Sequence, residues 1–203
     1  MSTLHVENLK GLSSGGNANK IIVPSGQTLE VADNIRHDDL PSGSVLQVIY
    51  GEYHTASTSN FVSTVFAPMT TAQATITPKF SNSKILVHCN GTAAGTHIAY
   101  DMSWHLKRGS SWIGGNNNTG KGKTHASGTV GAGGTAGSEV PVTLSFNYLD
   151  SPATTSATTY ILGFQGGETA TYYINRGTSA NYTQAYNFYN SGGCTITLME
   201  IKQ

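Results

Sequence analysis

"IAYDMSWHLK", residues 98–107, alternates without a break. Ile98, Tyr100, Met102, Trp104 and Leu106 share one side, and Ala99, Asp101, Ser103, His105 and Lys107 share the other. Successive side chains of a strand point to opposite faces, so a period of two reads as a half-buried strand. Trp104 then belongs to a core and Asp101 and His105 to the polar face. "VPVTLSFNYL" (140–149) repeats the pattern, with Val142, Leu144, Phe146 and Tyr148 set against Thr143, Ser145 and Asn147. Pro141 stands near the strand start, where its missing N–H is tolerated.

Working outward, shorter strand candidates appear at 45–50, 60–66, 74–77, 84–89, 158–164, 169–175, 185–189 and 195–201. Turn-rich clusters divide them: "PKFSNS", "GTAAGT", "SPATTS", "QGGE", "NRGTSAN" and "NSGG". Many short strands at near-regular spacing predict an all-β sandwich or barrel. No helical period competes with this. The first strand candidate opens the body and the last closes it, two residues from the end of the chain. Jelly rolls of the tumour-necrosis-factor-like type bring such strands together on one inner sheet. By fold analogy these domains are trimers whose inner sheets face the three-fold axis.

Composition agrees with exposed β-structure. Only 11% of the 203 residues are charged, with 11 basic and 11 acidic residues and zero net charge. The polar surface must therefore be built from hydroxyls and amides. No basic cluster suits a phosphate backbone, so no nucleic-acid partner is expected. No apolar run approaches the length of a membrane-spanning helix, so no membrane insertion is expected. The N-terminus lacks a signal-peptide pattern. Cys89 and Cys194, the only two cysteines, lie in apolar strand-like runs and read as buried free thiols.

Residues 1–43 differ from the rest. Small apolar groups such as Ile21/Val23 and Leu29/Val31 are scattered among Gly, Ser, Pro and Asn. "IIVPSGQTLEV" suits a small hairpin. That little apolar surface cannot offset the entropy of ordering the segment alone. It reads as an attachment and oligomerisation arm ending near Gly43, followed by a head over residues 44–203.

Several stretches carry a family resemblance. These are "IIVPSGQTLEV", "LPSGSVLQVIYG", "ITPKFSNSKILVHCNG", "LSFNYLDSPATTSATTYIL", "YYINRG" and "TITLMEI". Together they resemble tail-fibre or receptor-binding-type virion structural proteins of tailed, especially marine, bacteriophages. The resemblance spans most of the body from Ser44 to Ile201. It implies a homotrimer, a β-rich C-terminal head, and an arm docking on other virion proteins. It implies no catalytic motif and no particular receptor, and it places the chain in a virion assembled in the host cytoplasm.

Two segments are candidate recognition surfaces. The first is "GGNNNTGKGKTHASGTVGAGGTAGS" (114–138), in which nine of 25 residues are glycine. Its Gly115-to-Lys121 run approaches a phosphate-binding loop. Gly122 then stands where Ser or Thr should hold Mg²⁺, and no helix follows. It reads instead as a long excursion between strands, with Trp112 as an anchor and Asn116, Asn117, Asn118, Lys121, Lys123 and His125 as polar contacts; the alternative is a plain spacer. Either way its replacement by a short turn should leave the head folded. The second is "YYINRGTSANYTQAYNFY" (172–189), which holds five of the ten tyrosines. Tyr172, Tyr173, Asn175, Arg176 and Tyr182 are its receptor-binding candidates, since tyrosine combines a stacking face with a hydroxyl at low entropic cost. Sheet packing is the competing reading.

Enzymatic and metal chemistry find little support. His88, His97 and His105 fall in successive strand regions without the spacing of a metal site. Asp101, Glu139, Asp150 and Glu168 could pair across a cleft only by accident of folding. No cofactor, metal or catalytic residue is expected. The expected function is host-surface adhesion, with weak glycan contacts multiplied across a fibre- or knob-like trimer. The alternative is an architectural role as capsid decoration, head fibre or tail adaptor.

Overall fold

The structure is a computed structural model that describes residues 11, 13–16, 18, 20–28, 37–55, 57–61, 67–95, 100–114, 124–130, 142–166, 170–176 and 192–203. The chain divides into Met1–Asp39 and Leu40–Gln203. The smaller unit contains tight turns, with Ala18 N–H bonded to Gly15 O and Gln27 N–H to Pro24 O. The second of these turns sits inside "IIVPSGQTLEV", and the single 3₁₀ turn described lies at His37–Asp39. Ile21, Ile22 and Val23 are all exposed.

The larger unit is an all-β sandwich. Its strands are β1 (Val45–Tyr53), β2 (Ser57–Phe61), β3 (Ala67–Ile76), β4 (Lys84–Gly95), β5 (Tyr100–Arg108), β6 (Ser111–Ile113), β7 (Thr124–Val130), β8 (Val142–Asp150), β9 (Thr158–Gly166), β10 (Ala170–Ile174) and β11 (Cys194–Ile201). Every pairing is antiparallel. Sheet A has the path β1–β11–β4–β10–β2, with β8 on the other edge of β4. The long β4 holds β11 along Lys84–Asn90 and β10 along Ala93–Gly95. Sheet B runs β3–β9–β5–β6, with β7 also on β5. The first strand pairs with the last, and β3, β4, β5, β8, β9 and β11 pair mostly with strands distant in sequence. That is jelly-roll connectivity.

Alternation decides what fills the space between the sheets. From sheet A come Ile85, Val87, Cys89, Phe146, Cys194, Ile196 and Leu198; from sheet B come Ala74, Ile76, Trp104, Leu106, Tyr160, Leu162 and Phe164. Trp104 meets Phe164 edge-on at 5.1 Å, and Phe164 meets Tyr172 at 5.0 Å. Such aromatic pairs contribute about 0.5–1.5 kcal/mol each beyond area burial. Gly91 makes room for the tryptophan, because a Cβ there would lie 2.6 Å from its indole.

Buried polar groups hold the corners. Glu200 is fully buried and accepts hydrogen bonds from Gln47 Nε2 (2.5 Å), Lys79 N–H (2.7 Å) and Phe80 N–H (3.3 Å). This ties the corner after β3 to β11. Asp150 accepts both contacts of Arg108 Nη1, at 2.9 and 2.7 Å, and the Tyr160 hydroxyl at 2.6 Å. Burial, then the carboxylate, pushes the Tyr160 phenol up. Leu40–Ser44 lie along the C-terminal end: Gly43 N–H donates to Lys202 O, Lys202 N–H to Ser44 O, and Lys202 Nζ to Leu40 O.

Three expectations change. "GTAAGT" is not a turn, since Gly91–Gly95 continue β4. The 114–138 stretch is not a strand-free excursion, because Thr124–Val130 pair with β5 as β7. The edge of β5 is a template there, and the segment supplies backbone donors and acceptors to it, with β-branched Thr124, Thr129 and Val130 among its seven residues. His105 does lie on the polar face of β5, but is buried there, because Trp112 covers the outer side of sheet B at that point. The 60–66 strand is described only through Phe61, as part of β2, and the 185–189 strand lies outside the described residues.

Candidate functional site

The recognition candidates divide sharply by position. Trp112 stands on β6, half-buried, with its ring over Gly163; a Cβ at that glycine would lie 2.3 Å from the ring. His105 meets it edge-on at 6.1 Å and Lys107 Nζ lies 5.8 Å from its centroid. His105 Nε2 is 2.7 Å from Ser103 Oγ. Trp112 is thus a surface plate on the outer side of sheet B.

His125 has a different place. It sits on β7 and stacks on Phe146 at 4.6 Å, meets Tyr148 edge-on at 5.2 Å, and bonds Ile113 O through Nε2 at 2.8 Å. It fills the seam where β7 runs beside β8. Its role there is packing between the sheets, which corrects its assignment to an exposed loop. Asn116, Asn117, Asn118, Lys121 and Lys123 lie outside the described residues, as does Tyr182.

The tyrosine segment also splits. Tyr172 and Asn175 are both 1% exposed and belong to the interior, which corrects their placement on a ligand-facing surface. Tyr172 falls on the inward parity of β10. Asn175 takes a left-handed backbone (φ 60°) just after that strand, a conformation Asn tolerates better than most residues. Its N–H donates to Thr92 O and its carbonyl accepts from Gly192 N–H. Its Nδ2 donates to Tyr53 O at 2.8 Å and Thr55 O at 3.3 Å, and its Oδ1 accepts from the Cys194 thiol at 3.2 Å. Asn175 is a pin joining the ends of β1, β4, β10 and β11. Tyr173 and Arg176 remain at the surface, half-buried, with the guanidinium 4.5 Å from the tyrosine centroid.

The thiols are buried and free. Burial pushes Cys89 up, with Cys194 adding to the effect, and pushes Cys194 up to about 11. Neither suits nucleophilic or metal-binding work, which needs a thiolate. Among the described residues no cluster of three potential metal ligands occurs. His88 and His105 lie on opposite sheets, so their nearness in sequence does not bring them together.

One surface was not among the candidates: the outer face of sheet A. The register lines up three rungs across β1, β11, β4 and β8. Val48, Met199, Leu86 and Leu149 form the first. Tyr50, Thr197, His88 and Asn147 form the second, and Glu52, Thr195, Asn90 and Ser145 the third. Val45, Val48, Tyr50 and Leu149 are 49%, 54%, 58% and 48% exposed. They are the large exposed apolar side chains described in this unit, and all four lie on or beside this one face. The sequence held a signal for it. "VLQVIY", "KILV" and "TLMEI" carry apolar residues at both parities, which marks strands covered on both faces.

Hydrogen bonds link part of the polar face. His88 Nδ1 lies 2.5 Å from Asn147 Oδ1, and Asn90 Nδ2 reaches His88 Nε2 at 3.3 Å and Thr195 Oγ1 at 3.2 Å. Along β1, Glu52 pairs with His54 at 3.2 Å. The hydrogen bond from His54, then that from Tyr50, holds the Glu52 carboxyl below its ordinary range, and the Glu52 contact raises the Tyr50 phenol.

No family model and no curated protein sequence matches the chain. Solved structures with a partial likeness include the infectious bursal disease virus VP2 subviral particle, at 11% identity and a TM-score of 0.39. That alignment covers 78% of this chain and 34% of the VP2 chain. The T13 particle of the same virus aligns at 12% identity and a TM-score of 0.37, covering 84% and 40%. The chain thus spans well under half the length of these chains, and no functional property transfers at that distance.

Proposed function

We propose that the chain is a virion structural protein of a tailed phage. Its jelly-roll head forms a homotrimer, residues 1–43 attach it to other virion proteins, and the exposed part of the head makes weak contacts with host-surface glycans. The observation that carries this reading is the outer face of sheet A, on or beside which Val45, Val48, Tyr50 and Leu149 are exposed. Exposed apolar patches of this kind suit association rather than solvation. The family resemblance supplies the virion setting. Its motifs fall on the framework: the corner bonded to Glu200, the β8–β9 connection with Asp150 and Tyr160, the Asn175 pin, and β11 itself. Trp112 and the Tyr173–Arg176 pair are the described surface groups suited to sugar contact. Three weak sites on a trimer, repeated over a particle, raise avidity by roughly 10²–10⁴.

Labelling intact particles with antibody against the head tests the reading. Label on projecting appendages, with adsorption blocked by the antibody, supports adhesion. Absence of the protein from purified particles overturns the virion role. A head beginning at Leu40 should fold but fail to join the particle. An architectural role, as capsid decoration, head fibre or tail adaptor, is favoured by a separate observation: His125, Tyr172 and Asn175 serve packing. Labelled particles that adsorb normally support that second reading.

A further inference from the structure

We infer that the Trp112 plate, with Lys107, Ser103 and Gln165 beside it, is a binding site for one acidic sugar residue of a host-surface glycan. The inference rests on the adhesion reading above and deepens it, by fixing the site and the class of sugar.

The strand register builds the plate. Trp112 starts on β6, opposite Lys107 of β5. Its ring crosses β5 and rests over Gly163 of β9, the residue paired with His105. A side chain at 163 would displace it. His105 meets the indole edge-on. The ring therefore lies across the sheet, and it is half-buried, so part of it meets solvent. A pyranose ring carries a face of C–H groups, and the negative face of an indole suits such a partner.

The rungs on either side of the ring supply polar contacts. On one side Ser103 of β5 pairs with Gln165 of β9, and both are half-buried. Ser103 Oγ is held 2.7 Å from His105 Nε2. A hydroxyl and a primary amide both donate and accept, as the hydroxyls of a sugar do. On the other side Lys107 pairs with Ile161, and its Nζ lies 5.8 Å from the Trp112 centroid. From there the ammonium reaches a carboxylate carried by a sugar stacked on the indole.

Charge complementarity selects the acidic class. The outward positions of β3 and β9 nearest the plate, Gln73, Thr75, Thr159, Ile161 and Gln165, carry no charge. Thr124 and Ser127 of β7, paired with His105 and Ser103, carry none either. Asp101 is the acidic residue at the outward parity of β5, and it stands six residues from Lys107, roughly 20 Å along an extended strand. Among the described residues no carboxylate pairs with Lys107. A carboxylate on the ligand supplies that partner, and a charge-assisted hydrogen bond is about twice as strong as a neutral one. A neutral sugar gains the indole and the amide but not this contact.

Saturation-transfer NMR of the full chain with trigalacturonate and, separately, with neutral α-1,4-linked galactotriose tests the inference. The expected result is binding of trigalacturonate, with galactotriose weaker on the order of tenfold. Trp104 is fully buried, so a change in tryptophan fluorescence on binding reports Trp112, the other tryptophan of the chain. Lys107→Gln should lower the affinity for trigalacturonate to that for galactotriose, and Lys107→Arg should keep the preference. Trp112→Ala should bind neither sugar, with unchanged far-ultraviolet circular dichroism, and Tyr173→Ala should behave as the parent. Equal binding of the two sugars by the parent overturns the acidic class. So does a Lys107→Gln protein that still prefers trigalacturonate, and this arm holds even where Trp112→Ala fails to fold. Binding that survives in a folded Trp112→Ala protein overturns the site and leaves the adhesion reading standing. A parent that binds neither sugar overturns the inference, while adsorption blocked by antibody against the head reads adhesion separately.

Discussion

At the scale of the residue, parity and burial explain most side chains. Trp104 was legible from alternation alone, and it is fully buried against Phe164 and Gly91. Trp104→Ala should cost about 3–5 kcal/mol in chemical denaturation, because the framework cannot collapse onto so large a void. A loss below about 1 kcal/mol, the level of an ordinary surface change, would mean that the site is not core. The two thiols were legible as well. Burial raises both, so almost no thiolate exists near pH 8; they should react with a thiol reagent only on unfolding. Fast labelling of the native protein would contradict their placement. Alternation placed His105 on the outer side of its sheet, but it does not report whether another ring covers that side. Trp112 reaches His105 from β6 through a two-residue turn, and no periodicity encodes that reach.

At the scale of the element, the strongly alternating strands β5, β8 and β11 stood out in sequence, while β7 did not. It pairs with β5 along Tyr100–His105. His125 adds ring contacts across the seam to Phe146 and Tyr148. Replacing 115–137 by a short turn should therefore lower the melting temperature rather than leave it unchanged. His125→Ala alone should cost about 1–3 kcal/mol, through lost ring contacts and an unmet Ile113 carbonyl. Equal melting temperatures for parent and shortened chains would return the stretch to the status of a spacer. Asn175 was singled out for its chemistry and proves to be a connector between strand ends. Asn175→Ala should destabilise by about 2–4 kcal/mol, combining left-handed backbone strain with lost buried hydrogen bonds. A loss within about 0.5 kcal/mol of zero, measured by urea titration, would contradict its role as a pin.

At the scale of the whole molecule, the sandwich follows from which strands can bury which faces, while the pairing of first and last strands was expected by fold analogy and is seen between β1 and β11. The exposed apolar face of sheet A carries its own signal in the sequence. Apolar residues at both parities of β1, β4 and β11 distinguish them from the half-solvated strands of an isolated sandwich. The central claim is that this face is where copies meet, and that the head is stable as an assembly. The mass of the full chain by light scattering near pH 8, with and without Leu149→Lys, tests it most directly. A species three times the mass of the chain, reduced to single chains by the lysine, is the predicted result. A parent protein that runs as a single chain at micromolar concentration would contradict it.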